Sequence, residues 1–527
     1  MIRFRLLTIV MVAVSSRLRF DGIVSCVSSS GSRGMVEAFS SSSNNLNNGK
    51  KNIWEKESKI RTVMAPMVAQ SDLAFRQLCR KYGTDVCFTQ MVHATNYVKS
   101  PINFGYQHLD VYGKENNSYW NHVKNMPSVV NALEGMDPPL DSTYEENGPV
   151  IVQLAGNDAR TVTTAANIII ENQADDEVVS GFDINCGCPQ SIARKGRYGA
   201  FLMEESVDTV ASLVSSLKET LPSHVAVSVK MRLPSTDETG ANSLFHLQSK
   251  YQMDILKNRI HTLIDAGMDS FTLHGRTLVE NKTKVRACHW DAIAKAVQIA
   301  REYSNNPNYP VIANGGIEYS SNVQECLQQT GATAVMSSEA LLENPGIFSL
   351  NAKDDIDLTP YELFSRQIKY SREYLSICAL QYPPVPGSLG KVGGCFNTIR
   401  AHLFKLLYRY LEEQPDLRSQ MGNSYNKENG VLTIQQAFAW LDEFEQRYTP
   451  TSWEDNNSNS ELSSSSLGSS WYRRHRSSIS KSHVRGGIDG KDTSHKSIEE
   501  KKIALKIRIA KMKEQRLANK QKLTTLS

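Results

Sequence analysis

Cysteine is present but lacks every pattern that would staple a fold. The nine cysteines, spread from Cys26 to Cys395, show no paired spacing. The one close pair, Cys186-x-Cys188, is followed by no second Cys/His pair at zinc-site distance. A disulfide scaffold and a structural zinc site are therefore excluded, no metal is expected, and free thiols in a reducing compartment fit best. Long apolar runs are lacking too. The run from Leu6 to Val14 is too short to span a bilayer, and no other stretch approaches that length, so no membrane association is expected. No Gly-x-Gly-x-x-Gly follows an early strand pattern, which counts against a doubly wound nucleotide-binding sheet.

A dominant charge sign is missing as well, since the net charge is only +4 at pH 7. The balance changes once it is divided along the chain. Residues 471–527 hold 16 Lys/Arg against 5 Asp/Glu and residues 1–50 hold 6 against 2, leaving −11 for residues 51–470. An acidic body with a strongly basic tail points to a polyanionic partner; a merely solvated tail is the alternative.

At 527 residues with 40% hydrophobic content, the chain is expected to form two folded domains with tails. Its first twenty residues hold four arginines and no acid before Asp21. That is the pattern of a cleaved signal or of an Arg- and Ser-rich transit peptide for an organelle; an untranslocated leader is the alternative. Residues 25–50, rich in Ser, Asn and Gly, read as linker, and order is expected from near Ile60.

Short apolar runs then alternate with amphipathic stretches. RTVMAP, DVCFTQM, PVIVQLAG, GFDINCG, VAVSVKMR, SFTLHGR, YPVIANGG and ATAVMSS read as strands. SDLAFRQLCRKYG, DARTVTTAANIIIENQA, VDTVASLVSSLKET and IAKAVQIAREYS carry apolar residues at helical spacing between them. Eight strands, mostly followed by helices, predict an α/β fold: a (β/α)8 TIM barrel over residues 51–355. A long insertion, residues 100–147, separates the second and third strands and is expected over the barrel mouth. Helical runs alone follow, including FNTIRAHLFKLLYRYLEE and TIQQAFAWLDEFEQRY, predicting a small all-helical domain over residues 356–450. Residues 451–527 read as a disordered linker and a basic C-terminal tail.

In such a barrel the working groups sit where strands end, at the carboxyl rim. The strand ends here are Ala65-Pro66-Met67, Gln153, Asn185 with Cys188, Lys230 with Arg232, His274 with Arg276, Asn314-Gly315-Gly316 and Ser337-Ser338. Their convergence on polar, glycine and sulfur-bearing groups is a stronger signal than any one of them. A lone cysteine is more often a buried thiol than a reagent. Cys188, however, falls on a Gly-rich rim loop that would let a flat ring approach closely, and a catalytic role is the better reading. Cys186 reads as packing. Lys230 is either an ordinary rim charge or a fixed cation beside a cofactor. Gln153 can both donate and accept along a ring edge, although a loop glutamine is more often solvated. His274 reads equally as a phosphate partner or a structural histidine. Asn314-Gly315-Gly316, isolated, is a turn; after the seventh strand it is the usual place for a barrel phosphate site.

Taken together, MAPMVAQSDLAFRQLCRKYGTDVCFTQMVHA, DINCGCPQSIARKGRYGAFL, VSVKMR, LHGRT, VIANGGI and GATAVMSSEALLENPGIF resemble the tRNA-dihydrouridine synthases over about residues 60–350. NCGCP with YGAFL is the most specific part, whereas ANGGI is shared by other FMN barrels. The MVHA segment and the MSSEALLENP ending are most similar to the eukaryotic branch acting on tRNA positions 16 and 17.

The resemblance implies that NADPH (or NADH) reduces FMN, whose hydride passes to C6 of a flipped-out uridine, and that Cys188 protonates C5. It implies that Asn185 holds the uracil, that Lys230, Gln153 and His274 hold the flavin, and that Pro66 and Met67 pack beside its ring. Asn314, Gly315, Gly316 and the Ser337-Ser338 backbone would take the phosphate. Arg232, Arg276 and Arg400 are expected at the tRNA, with His402 and Lys405 as further phosphate contacts. Tyr408 and Trp440 read as core rather than as stacking platforms. Many family members carry Gly-Arg-Gly where this chain has Ser337-Ser338-Glu339, so His274 or Arg276 is expected to bear more of the phosphate charge. A monomer in cytoplasm or nucleus is implied. The rival readings are an FMN barrel acting on a small molecule and a non-enzymatic tRNA-binding module.

Overall fold

The computed structural model describes residues 52–54, 60–100, 148–173, 178–281, 285–349, 353–381, 396–411, 414–422, 433–447 and 470–472. The leader and linker of residues 1–50, the insertion at 101–147 and the basic tail beyond 472 lie outside the described residues.

The strands are β1 (Thr62–Met64), β2 (Val86–Phe88), β3 (Val92–His93), β4 (Val150–Ala155), β5 (Val179–Cys186), β6 (Ala226–Arg232), β7 (Ser270–His274), β8 (Val311–Asn314) and β9 (Ala334–Ser337). All pair in parallel. β9 returns to β1 and β2 pairs with β4, closing eight strands into a TIM barrel, while β3 is a short addition along the end of β4. The eight barrel strands are the eight legible in the sequence.

Strand side chains alternate between two faces, and here the two faces differ in kind. Phe182, Ile184 and Cys186 of β5, Val227, Val229 and Met231 of β6, and Phe271 and Leu273 of β7 belong to the cluster shared with the surrounding helices. The alternate set, Val63, Val86, Ile151, Ala226, Ile312 and Ala334, packs with Ile60 and Ile53 into a separate plug at the amino-terminal end of the barrel. Order thus begins upstream of Ile60, because Ile53 is needed to seal that end. Two or four residues further along the same inward faces the side chains turn polar: Gln153 after Ile151, Ser228 and Lys230 after Ala226, Asn314 after Ile312. An apolar floor under a polar rim is what positions the site.

The helices around the barrel are α1 (Leu73–Lys81), α2 (Ala94–Lys99), α3 (Ala159–Asn172), α4 (Ser191–Lys195), α5 (Ala200–Glu205), α6 (Val207–Thr220), α7 (Lys250–Asp265), α8 (Trp290–Tyr303), α9 (Ser321–Thr330) and α10 (Glu339–Glu343). Side-chain caps fix three of their starts. Asp158, Ser206 and Ser249 accept the N–H groups of Thr161, Thr209 and Gln252 at 2.8, 3.2 and 3.3 Å. Each such cap is worth about 1 kcal/mol.

The helical region comprises α11 (Pro360–Gln381), α12 (Phe396–Leu406), α13 (Tyr408–Leu411), α14 (Pro415–Gly422) and α15 (Ile434–Gln446). α11 packs along α1, and the barrel's outer hydrophobic cluster continues through Tyr374, Leu403 and Phe444. A buried polar link joins the two regions. Asp72 accepts from the Tyr374 hydroxyl at 3.1 Å and pairs with His402 Nε2 at 2.8 Å, while the His402 ring stacks on Phe75 at 4.2 Å. Trp440 is core, donating its indole N–H to the Leu417 carbonyl at 3.1 Å. Residues 470–472 dock on α10 through Ser470 and on the helical region through Trp471.

Candidate active site

A directed series of hydrogen bonds runs from the barrel interior to the Cys188 loop. Asp183 is fully buried and accepts from the Ser228 hydroxyl and from the Gln153 amide nitrogen, both at 2.8 Å. The carboxylate fixes which way the Gln153 amide faces. Its oxygen is thereby turned to Asn185, whose amide nitrogen donates to it at 2.7 Å. The Asn185 oxygen in turn accepts the backbone N–H groups of Gly187 and Cys188 at 3.2 and 3.1 Å. The loop then crosses over itself at Gly199 (φ 70°), where a Cβ would fall 2.7 Å from the Cys188 carbonyl oxygen. Cys188 ends half-buried beside Met91, Tyr198 and Phe201, with its loop set from below by four polar side chains.

Burial raises the Asp183 carboxyl to about 6, against the opposing pull of Gln153, Ser228 and Lys230. A carboxyl with a raised folded pKa holds its proton more tightly in the folded state. Its contribution to stability is therefore complete below the ordinary Asp range and is lost as pH rises through about 6. Asp183→Asn abolishes that titration. Native protein should lose roughly 2–3 kcal/mol of stability between about pH 4 and 7.5 from this group, and the variant should lack that component. Superimposable melting-versus-pH profiles would show that Asp183 does not titrate in this way.

Above this layer lie three cations. Lys230 Nζ donates to Asn314 Oδ1 at 2.9 Å. Arg232 bridges two rim loops, giving Nε to the Gly187 carbonyl at 2.8 Å and a terminal nitrogen to the Thr277 carbonyl at 3.0 Å. Arg276 donates to the Arg286 carbonyl at 2.7 Å and lies 3.2 Å from His274 Nε2. Burial, then Arg232, lowers Lys230 to about 8; burial, then Arg276, lowers Arg232 to about 10. His274 is pushed well below its usual range by burial and then by the three cations, so at neutral pH its ring is neutral. Facing an arginine donor, His274 Nε2 must be the acceptor and Nδ1 carries the proton.

Among the described residues none of the three cations is in an ion pair; Asp183 and Glu280 act on Lys230 and Arg232 from beyond that distance. One terminal nitrogen of Arg276 is buried with no hydrogen-bond partner. Clustered buried charge without a counter-ion is costly, and an anionic ligand would offset it. Beside it, Gly315 and Gly316 hold φ of 102° and 83°, a conformation that favours glycine. A Cβ at Gly315 would fall 2.8 Å from the His274 ring, and one at Gly316 2.9 Å from Trp290 Nε1.

The family model described as dihydrouridine synthase matches residues 63–440, a span that contains each of these groups. The chain belongs to the dihydrouridine synthase family. It is 30% identical over 391 residues to a tRNA-dihydrouridine(16/17) synthase of Saccharomyces cerevisiae whose name also carries NAD(P)(+), covering 73% of this chain and 75% of that one. Identity to the tRNA-dihydrouridine(16/17) synthase-like protein of Mus musculus is 31%, covering 72% of this chain and 61% of the relative. A tRNA-dihydrouridine(20a/20b) synthase-like protein of Homo sapiens is 30% identical over 60% of this chain and 82% of its own length.

Within this dihydrouridine synthase, Gln153, Asn185, Cys188, Lys230, Arg232, His274, Arg276, Asn314, Gly315 and Gly316 are brought to one rim. Pro66 and Met67 stand half-buried on the neighbouring loop after β1, which is tied to the loop after β2 by the Ala69 N–H donated to Gln90 Oε1 at 2.8 Å. Ser337 contributes less than expected. Its carbonyl accepts the Ala65 N–H at 2.9 Å, and it lies on the same strand face as outward-pointing Val335. Ser338 heads α10, but Glu339 in the first turn sets a carboxylate where an anion would otherwise dock. The cation and glycine side of the rim is the electrostatically favoured place for a phosphate.

Two of the residues expected at the tRNA, Arg400 and His402, are turned inward. His402 is fully buried, because its ring fills the space between Phe75 and Asp72. Arg400 is only 8% exposed, with its guanidinium bonded to Asn397 one turn earlier and lying over the Phe396 ring. Lys405, half-buried, reaches Gln70 Oε1 at 2.5 Å.

Sequence reasoning missed Asp183, Ser228, Cys288 and Trp290. The first two were detectable as polar residues at every second position of otherwise apolar strands. Cys288, raised to about 11 mainly by burial, donates to the Asn314 carbonyl at 3.6 Å, and Trp290 Nε1 holds the Gly315 carbonyl at 3.0 Å. Both precede or open α8 and give no periodic signal. A separate cleft lined by Arg61, Gln324, Gln328 and Asp357 opens on the flank beside α9 and holds none of the expected site residues.

Proposed function

We propose that this chain reduces a uridine at position 16 or 17 of folded tRNA to 5,6-dihydrouridine, with FMN as bound cofactor and NADPH or NADH as reductant. The observation that carries the reading is the half-exposed Cys188 thiol, held by the Asp183–Gln153–Asn185 series beside three cations that form no ion pair among the described residues. The residues present fit FMN: the Arg276 nitrogen, without a hydrogen-bond partner among the described residues, and the neighbouring Gly315-Gly316 backbone suit a phosphate, and Lys230 suits the electron-rich edge of the ring. Bound FMN would supply the hydride to C6 of the uracil. Cys188 then gives its thiol proton to C5, and the thiolate left behind recovers a proton from solvent. Asn185, one hydrogen of whose amide is committed to Gln153, has a second with which to hold a uracil oxygen. Burial of this layer excludes water from the ring being reduced.

The choice of positions 16 and 17 is supported by the share of this chain matched by relatives of that name, 70–73% against 60% for the human 20a/20b relative. We take residues 51–355 as the flavin barrel and residues 356–450, with the basic tail, as the part that receives tRNA. Taking a base from its stack costs a few kcal/mol, which backbone contacts must supply. Deleting residues 473–527 should leave flavin content unchanged, weaken tRNA binding, and flatten the slope of log K against log salt by a few units. An unchanged slope would make the tail a bystander.

The reading as a whole is tested by purifying the protein, assaying bound FMN, and following NADPH oxidation under anaerobic conditions with and without tRNA. Turnover that requires tRNA is expected. Turnover indifferent to tRNA would point to a small-molecule substrate, and absence of flavin to a binding module.

A further inference from the structure

Three exposed cations, Arg194, Lys195 and Arg197, crowd the end of α4 and the turn that closes it, just after Cys188 in the chain. They stand out because residues 51–470 together carry −11. Arg197 lies 3.5 Å from Glu205, but both side chains are well exposed, and such a pair contributes little. Arg194 lies over the Phe201 ring at 5.8 Å.

The turn that carries them is fixed. The Tyr198 N–H bonds the Ala193 carbonyl at 3.0 Å and the Arg197 N–H bonds the Arg194 carbonyl at 3.2 Å. These two bonds close a helix through one residue in the left-handed conformation, a position that glycine usually fills. Here Arg197 fills it, with φ 49°. A β-carbon is disfavoured there, so the arginine is kept against local preference, and residues held in this way cluster at functional sites. On their inner side Ala193 and Tyr198 pack together with Cys188. A Cβ at Gly199 would fall 3.0 Å from Cys188 Cβ and 3.3 Å from Ala193 Cβ. The three cations therefore project from a turn whose inner face rests on the Cys188 residue itself.

We propose that Arg194, Lys195 and Arg197 grip the tRNA strand at the phosphates on either side of the uridine being reduced. The inference rests on the tRNA reading above. A thiol that reaches C5 of a flipped-out base leaves the phosphates of that nucleotide about a side-chain length away. Long cations on a fixed turn span such a gap. Phosphate contacts made here act where the base leaves its stack, a step whose cost backbone contacts must supply.

The test measures tRNA affinity against salt for the native full chain, for Arg197→Gly and for Arg194→Ala/Lys195→Ala. Melting temperature, flavin content and the rate of flavin reduction by NADPH are followed in parallel. Glycine suits φ 49°, so Arg197→Gly should melt at or above the native temperature. Its affinity for tRNA at about 0.1 M salt should nevertheless fall several-fold, and the slope of log K against log salt should flatten by about one. The double variant should lose about tenfold or more and flatten the slope by about two. Flavin content and NADPH reduction should stay native in both. Native affinity and slope in both variants overturn the grip. So does slower reduction by NADPH with native tRNA affinity, because the cations would then serve the phosphates of the dinucleotide. A lower melting temperature for Arg197→Gly with a native slope would make Arg197 a structural cap and overturn its part. If the native protein itself binds no tRNA, the functional reading falls and the grip with it.

Discussion

Cys188→Ala is expected to keep its flavin and to be reduced by NADPH at the native rate, while dihydrouridine formation falls about 10²-fold or more, the range for loss of a general acid. The two halves of the expectation come from different parts of the structure. Groups that suit the flavin phosphate lie on β7, β8 and the loops after them: His274, Arg276 and the Gly315-Gly316 backbone. The thiol lies across the rim, on the loop after β5, where the Cys188 backbone bonds Asn185 and Ala200. Removing the half-buried sulfur and leaving the β-carbon as a methyl group disturbs neither set. Single-turnover measurement with pre-reduced protein and tRNA isolates the step. Near-native product formation would remove Cys188 from proton delivery and leave that role to another group.

Lys230→Met should have the second largest effect, because it removes a buried cation and preserves side-chain length. Lys230 is already lowered to about 8, so it is charged at neutral pH and becomes more firmly so when a negative group binds beside it. Reduction of a flavin adds negative charge, and the loss of this counter-charge should lower the midpoint potential by roughly 30–60 mV, equal to about 1.4–2.8 kcal/mol for two electrons. Asn314 loses the donor to its oxygen but keeps its own bond to the Met336 carbonyl at 2.9 Å, so the loop after β8 should hold its shape. The native potential should also fall more steeply with pH above about 8 than that of the variant. An unchanged potential together with unchanged flavin retention would reduce Lys230 to an ordinary rim charge.

How far the sequence disclosed this architecture depends on whether the signal was periodic. Alternation in VAVSVKMR places Ser228, Lys230 and Arg232 on one face and Val227, Val229 and Met231 on the other, and the barrel keeps that division. The same rule puts Cys186 outward into the helix layer and leaves the next loop to present Cys188. Groups brought in by loops gave no such signal. Trp290, whose indole holds the Gly315 carbonyl, and Cys288, against the Asn314 carbonyl, meet that loop from across a strand gap of more than twenty residues. Charge misled at α12. Arg400 and His402 look like exposed cations in IRAHLFKLL, yet both are buried: His402 is turned to Asp72 beside the loop after β1, and Arg400 is bonded to Asn397 on its own helix. Helical spacing there encodes a buried face, and polar residues on it pair internally. Trp471 was unreadable for a different reason. An isolated aromatic in a Ser- and Asn-rich stretch has no periodicity, and the rings it packs on, Phe404 and Tyr408, lie on helices far earlier in the chain.

The central claim, that this barrel makes dihydrouridine in tRNA, is tested most directly by mapping dihydrouridine in total tRNA from cells lacking the protein, and from the same cells given back the native or the Cys188→Ala chain. Loss of the modification at positions 16 and 17 is expected, with other dihydrouridines retained, restoration by the native chain and no restoration by the variant. Full modification at 16 and 17 in the cells lacking the protein would contradict it.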